Sequence, residues 1–348
     1  MLTGSKSRIL PIATPFITSY TNIASTFSII GVQEEQIIPW ISDHLIQLVG
    51  REEEGKMIDQ WATFYDFATK DAIPAYEGIP FISKCKFDRV ALEISDFALF
   101  IEEQINAGYY VHAYLDRYYL KVSNDYLKEH YNHQTFIYGY DRSKNEIYIA
   151  DFYNQKFDFV SVSYQDINLS YNTDISIKEE YINFWKNHIY TSKQLDYKYE
   201  INIDLLKLSL KDYIDRKDSF LKYEYTFTHR NVKTFFGLDF YNVLKIHCNK
   251  HTEFIDYRAF HILCDHKKAM KTRFDYLNNN NFINKSMTYK LNIDIEDLFG
   301  ETIRLRNMVL KYNIQSDARL HARIINNIAI LENLDFRVSN ELLNALVV

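Results

Sequence analysis

Glycine, proline and cysteine are scarce in this sequence, at 9, 5 and 3 of 348 residues. So few chain breakers exclude long flexible or proline-rich linkers and point to densely structured elements. The three cysteines, Cys85, Cys248 and Cys264, are too few and too odd in number for a disulfide framework, so a reduced, cytoplasmic setting is expected. Lysine and arginine (40, against 46 acidic residues) are scattered, and the net charge is −6. No basic run tracks a phosphate backbone, so nucleic acid is not an expected partner. Nor does any apolar run reach the roughly 18 residues that a membrane helix needs, so no membrane partner is expected. The apolar stretch from Ile9 to Ile17 is interrupted by Pro11, Pro15 and polar residues and makes a poor secretory signal. A glycine-rich phosphate loop is also missing, and no cofactor is implied.

Tyrosine (28) and phenylalanine (24) are abundant, and 47% of the residues are hydrophobic, enough for two domains with a core each. Up to about residue 170, helical and strand periodicities alternate. The spacing of Ile23, Phe27 and Ile30 predicts a helix over Thr21 to Ile30, closed by Gly31. A second apolar stripe (Leu92, Ile94, Phe97, Ala98, Ile101, Ile105) predicts a helix within Val90 to Asn106, with Gly108 at its C-cap. Strands are expected over Tyr109 to Leu115, Gln134 to Tyr138, Glu146 to Ala150 and Phe157 to Val162, with a turn at Asp141 to Asn145. Helices followed by antiparallel strands indicate an α+β domain. From about residue 200 helical periodicity takes over, with candidates at Asp204 to Lys222, Thr234 to Asn249, Phe254 to Asn278, Ile295 to Tyr312 and Asp317 to Leu346. The mixed stretch from Tyr171 to Tyr199 reads as a connection. Two domains are therefore expected, 1–175 and 200–348, the second all-helical.

The chemistry is concentrated in the first half. His133 opens one strand of the expected hairpin, Gly139-Tyr140-Asp141 closes it, and Asp151 ends the next. Adjacent antiparallel strands bring the two side chains to one edge of a sheet, where a carboxylate can orient an imidazole and stabilise its charged form. A structural histidine is the competing reading of the same spacing.

The string His133…Gly139-Tyr140-Asp141…Ile147-Tyr148-Ile149-Ala150-Asp151 resembles the second half of a papain-fold, C39-like cysteine peptidase domain. It is most similar to the butirosin biosynthesis protein H family. Asp116, Arg117, Tyr118, Tyr119 and Tyr126 resemble that family's approach to its active-site strand. Asp265-His266-Lys267 and Arg306-Asn307…Lys311-Tyr312 resemble its helical C-terminal region. The resemblance implies a papain-like N-terminal domain with an antiparallel sheet. It also implies transfer of an acyl group from the phosphopantetheine thioester of an acyl carrier protein to a small-molecule amine acceptor, in nonribosomal peptide or aminoglycoside-type biosynthesis. His133 would then be the general base and Asp151 its orienting carboxylate. The family's nucleophile is a cysteine at the start of the first helix, where the helix dipole lowers a thiol's pKa. Matching Ile23-Ala24-Ser25 to the family's small-residue pattern puts that position at Thr18 or Ser19, and no glutamine stands upstream near Ile12 or Ala13 for an oxyanion hole. A hydroxyl can serve where a base removes its proton in the transition state. The alternative is a catalytically inactive pseudoenzyme of the same fold, binding a carrier protein or partner.

Other constellations favour structural roles. His247, Cys248 and His251, followed by His261, Cys264 and His266, offer zinc-type ligands. A long helix through Phe254 to Asn278 puts Cys264 on the apolar face and His266 well around from it. Asp116 beside Arg117 reads as a turn or salt-bridge element, and Cys85, flanked by lysines, as a half-buried strand or loop cysteine.

Overall fold

The computed structural model describes residues 6–53, 56–57, 63–64, 79–89, 91–92, 94–172, 188–218 and 232–347. In chain order it begins with β1 (Ser7–Ile9), α1 (Thr21–Ile30), α2 (Glu34–Asp43), β2 (Leu48–Glu53), β3 (Lys56–Met57), β4 (Thr63–Phe64) and β5 (Ile82–Asp88). Then come α3 (Phe97–Asn106), β6 (Tyr110–Asp116), β7 (Asn132–Asp141), β8 (Glu146–Tyr153), β9 (Lys156–Val162), α4 (Tyr164–Asn172) and β10 (His188–Gln194). The chain ends with α5 (Ile203–Asp215), β11 (Val232–Phe236), α6 (Phe240–Lys250), α7 (Arg258–Asn279), α8 (Lys285–Gln315) and α9 (Ala318–Ala345). These form two compact units, Met1–Glu34 with Ile73–Tyr197, and Glu35–Ala72 with Lys198–Val348. Among the described residues no helix is long and apolar enough to cross a membrane.

The first unit is α+β. Its antiparallel sheet has seven strands in the order β5-β10-β6-β7-β8-β9, with β1 also on β7. The β7–β8 hairpin forms as the alternation predicts, and Asn145 takes the left-handed conformation its turn needs, at φ 59°. Gly139 answers a packing demand: a Cβ there would lie 2.9 Å from the Arg8 carbonyl oxygen of β1. α3 is shorter than its apolar stripe, because the Asp96 side chain accepts from Leu99 N at 3.0 Å and starts the helix there. Gly108 follows α3 at φ 85°, as expected of a residue just past a helix end. The stretch expected to be a mere connection supplies β10, which lies inside the sheet between β5 and β6.

The second unit corrects two expectations. It is not built from the C-terminal half alone, because Glu35–Ala72 belongs to it. Nor is it all-helical, because β11 pairs antiparallel with β2 in a four-stranded sheet with β3 and β4. The helix expected over Thr234 to Asn249 is a strand up to Phe236 and a helix from Phe240. Phe235 is buried against Val243 and Ile246 of α6, a contact that strand geometry provides. Polar side chains of α7 hold the early segment in place. His266 Nε2 donates to the Ile46 carbonyl at 2.6 Å, and the buried Arg273 donates through Nε to Ser42 O at 2.7 Å and through one terminal nitrogen to His44 O at 2.7 Å.

At the centre of this unit a buried carboxylate collects donors from four helices. Asp335 of α9 forms an ion pair with Lys267 of α7. It accepts from Tyr213 of α5 at 2.6 Å, from Tyr241 of α6 at 3.0 Å and from Ser339 one turn on at 3.2 Å. Burial, and after it the Asp335 carboxylate, push both phenols well up, so they act as donors throughout the usable pH range. Removing one partner of such a pair strands the other's charge, whereas replacing both with apolar groups avoids that penalty. Lys267→Met is therefore expected to lower unfolding stability by about 3–5 kcal/mol in urea titrations. Adding Asp335→Leu to that variant should recover a large part of the loss, and further destabilisation would contradict this reading.

Candidate functional site

The site is built on β7 and β8, with one residue from α1 and one from the β6–β7 connection. Register pairs Phe136 with Ala150, which sets Thr135 opposite Asp151 and puts His133, two residues earlier, on the same face. Diagonal neighbours on one sheet face are within reach of long side chains. His133 Nδ1 accordingly lies 2.8 and 2.9 Å from the two carboxylate oxygens of Asp151. The Asp151 side chain is fully buried, whereas that of His133 is 27% exposed.

Asp151 is held by more than His133. Its Oδ1 accepts from Phe152 N at 2.7 Å and from the Thr21 hydroxyl at 3.2 Å. Its Oδ2 accepts from Arg117 through a terminal nitrogen at 2.6 Å and through Nε at 3.2 Å. The same terminal nitrogen donates to the Phe152 carbonyl at 2.9 Å. Arg117 also lies over the rings of Tyr131 and Tyr153, each 5.6 Å from its guanidinium carbon. Burial alone would push the Asp151 carboxyl up, but His133 and then Arg117 outweigh it and hold it below the ordinary carboxylate range. The ring of Tyr131 stacks on His133 at 5.7 Å, and Nε2 of His133 makes no hydrogen bond among the described residues.

A second histidine–aspartate pair lies on the opposite sheet face, because Asp116 and Leu115 alternate along β6 and His133 is the register partner of Leu115. The buried Asp116 accepts from His130 Nδ1 at 2.7 Å and from the backbone N–H groups of Tyr118 and Tyr131, each at 3.1 Å. Tyr118 stacks on His130 at 4.2 Å. These contacts close the β6–β7 connection on itself and so place Arg117. The adjacent Asp116 and Arg117 thus take the turn and salt-bridge roles expected for them.

Of the four site residues expected from the sequence, the structure brings His133 and Asp151 together. Thr18 and Ser19 lie on the segment entering α1, with Ser19 buried, and neither bonds to His133 or Asp151. The hydroxyl that reaches the pair is that of Thr21, the first residue of α1. Sequence reasoning passed over Thr21 as a plain helix start. Its place at a helix N-terminus upstream of a histidine–aspartate hairpin was the available signal. Thr135 and Tyr153, on the same face, carry buried hydroxyls without a partner among the described residues. Cys85 is exposed on the outer strand β5, separated from β7 by two strands, β10 and β6.

The zinc-type residues of the second unit are engaged otherwise. His247 Nε2 accepts from Asp256 N at 3.0 Å, and the buried Cys264 donates to the Thr302 carbonyl at 3.6 Å. Burial pushes the Cys264 thiol up to about 12 and the His247 imidazole down to about 4. Among the described residues no three His, Cys, Asp or Glu side chains are grouped to hold a metal. No model of a known family matches the sequence, and no curated protein matches it significantly.

The lowered carboxyl of Asp151 makes stability depend on pH. Because its folded value lies below the unfolded one of about 3.9, its contribution is complete above that pH and fades as pH falls through the folded value. Urea midpoints should therefore drop more steeply for the wild-type protein than for Asp151→Asn as pH is lowered from 5 toward 2.5. Parallel profiles would show that Asp151 is not held as an anion.

Proposed function

We propose that the first unit is a papain-like, C39-like domain of the butirosin biosynthesis protein H type. In this reading it transfers an acyl group from a carrier-protein thioester to the amine of a small molecule. The observation that carries the proposal is the His133–Asp151 pair, whose ring is tied through Nδ1 and whose other nitrogen, Nε2, makes no hydrogen bond among the described residues. The start of α1 at the pair, through Thr21, adds support, because a papain-like site sets a helix N-terminus against its histidine.

The chemistry follows from which groups are at hand. No thiol stands at the start of α1, and the Thr21 hydroxyl donates to Asp151. His133 therefore acts on the acceptor itself. The acceptor nitrogen attacks the thioester carbonyl as Nε2 takes its proton, the carbon–sulfur bond breaks, and the proton passes to the departing thiolate. The products are an amide and the free carrier thiol. The buried hydroxyls of Thr135 and Tyr153, without a partner among the described residues, lie on the sheet face that carries His133 and Asp151.

One observation favours a second reading, a carrier-binding module without chemistry: the cysteine expected at the helix start is replaced by hydroxyl residues. The two readings separate on incubation of the full chain with acetyl- and aminoacyl-loaded carrier protein and a panel of primary amines, followed by mass spectrometry of protein and products. Direct transfer predicts amide product, no acyl adduct on the protein, and a rate about 100-fold lower or worse in His133→Ala. An adduct abolished by Ser19→Ala, Thr18→Ala or Thr21→Ala would replace direct transfer by a covalent route. Carrier binding without product from any amine would leave the binding module.

A further inference from the structure

The contacts around His133 contain a conflict that is resolved by where the Nδ1 proton points. Nδ1 lies 2.8 and 2.9 Å from the Asp151 oxygens and 3.0 Å from a terminal nitrogen of Arg117. A carboxylate only accepts and a guanidinium only donates. Nδ1 can therefore meet Asp151 if it carries a proton, or Arg117 if it does not, but not both. The hydrogens of the Arg117 nitrogen decide between them. It has two, and both have acceptors: Asp151 Oδ2 at 2.6 Å and the Phe152 carbonyl at 2.9 Å. Both are shorter than its 3.0 Å approach to Nδ1, and Nδ1 itself lies closer to the two carboxylate oxygens, so the Nδ1 proton points to Asp151 and the approach of Arg117 comes from sharing that carboxylate.

Charge favours the same placement of the proton. A fully buried carboxylate beside a neutral ring would have to take up a proton or draw one onto the ring. Arg117 removes that need, since a guanidinium keeps its charge at any pH the protein meets. Among the described residues, the charged and titratable groups at the ring, its carboxylate or Arg117 are Asp151 and Tyr153 from β8, and Arg117, Asp125 and Tyr131 from the β6–β7 connection, with the Thr21 hydroxyl from α1. Arg117 is the permanent cation among them, and Asp125 is 3.9 Å from its other terminal nitrogen.

We propose that Arg117 is the positioning residue of this site: it holds Asp151 as an anion beside a neutral His133, which fixes the ring proton on Nδ1 and leaves Nε2 as the open, basic nitrogen. The role rests on the reading of His133 as a base, but its test does not depend on activity. Long-range nitrogen–proton correlation spectra of the imidazole rings distinguish the two neutral tautomers from the imidazolium, with His133→Gln assigning the signals. At pH 7 the wild-type ring is expected to be neutral with its proton on Nδ1, and Arg117→Lys, which keeps the charge, should retain that pattern. In Arg117→Met the remaining cation available to Asp151 is the ring itself, so the unprotonated-nitrogen signal of Nε2 should be lost to the imidazolium pattern. Should Arg117→Met not fold, the wild-type tautomer and its retention in Arg117→Lys decide the matter.

A wild-type ring protonated on Nε2, whether alone or together with Nδ1, would overturn the proposal. So would an Arg117→Met ring with the wild-type pattern. If the tautomer is as stated while His133→Ala leaves acyl transfer unchanged, the positioning role stands and the reading of His133 as the base of that reaction falls.

Discussion

A carboxylate shut away from water must be surrounded by donors, and the candidate site follows from how Asp151 meets that demand. Its donors come from α1, from the β6–β7 connection, from the start of β7 and from its own strand β8. Meeting them all fixes the first turn of α1 against the sheet, sets the β6–β7 connection, and holds the His133 ring by one edge. The buried Asp116, on the other sheet face, gives the same connection a second anchor through His130 and two backbone N–H groups. An isolated ion pair on a surface would contribute little. Here the Arg117–Asp151 pair is buried and shares its carboxylate with three further donors, the His133 ring, the Thr21 hydroxyl and the Phe152 N–H, so loss of Arg117 leaves the buried charge without its permanent cation.

The second unit uses the same device for a different end. Asp335 is also buried and multiply bonded, but its partners are Lys267, two tyrosines and a serine with no solvent-facing imidazole among them. That cluster joins helices. The Asp151 cluster differs in having one member, His133, with a ring face and a nitrogen left over. This difference, more than burial or charge, separates a candidate site from a structural knot.

Local signals in the sequence made much of the first unit legible. Alternation and the Asp141 to Asn145 turn delivered β7, β8 and β9, and so brought His133 and Asp151 to one edge of a sheet from the sequence alone. What escaped was set by partners distant in the chain. β10 is a short, polar-flanked run whose strand character comes from β5 and β6. Phe235-Phe236 fits a helical or an extended period equally well, and pairing with β2 decides it. Thr21 gains its role only when α1 lies against β8, and Arg117 only when its connection folds back. The two hydroxyl positions named from the resemblance, Thr18 and Ser19, came from matching a pattern along the chain, which cannot register where the helix begins relative to the carboxylate.

Everything at this site depends on Asp151 being an anion at neutral pH in spite of its burial. Labelling the aspartate carboxyl carbons and following their chemical shifts with pH, with Asp151→Asn to assign the signal, measures this directly. A signal of the ionised form is expected at pH 7, unchanged until the pH falls below the ordinary carboxyl range. A protonated Asp151 at neutral pH would contradict it.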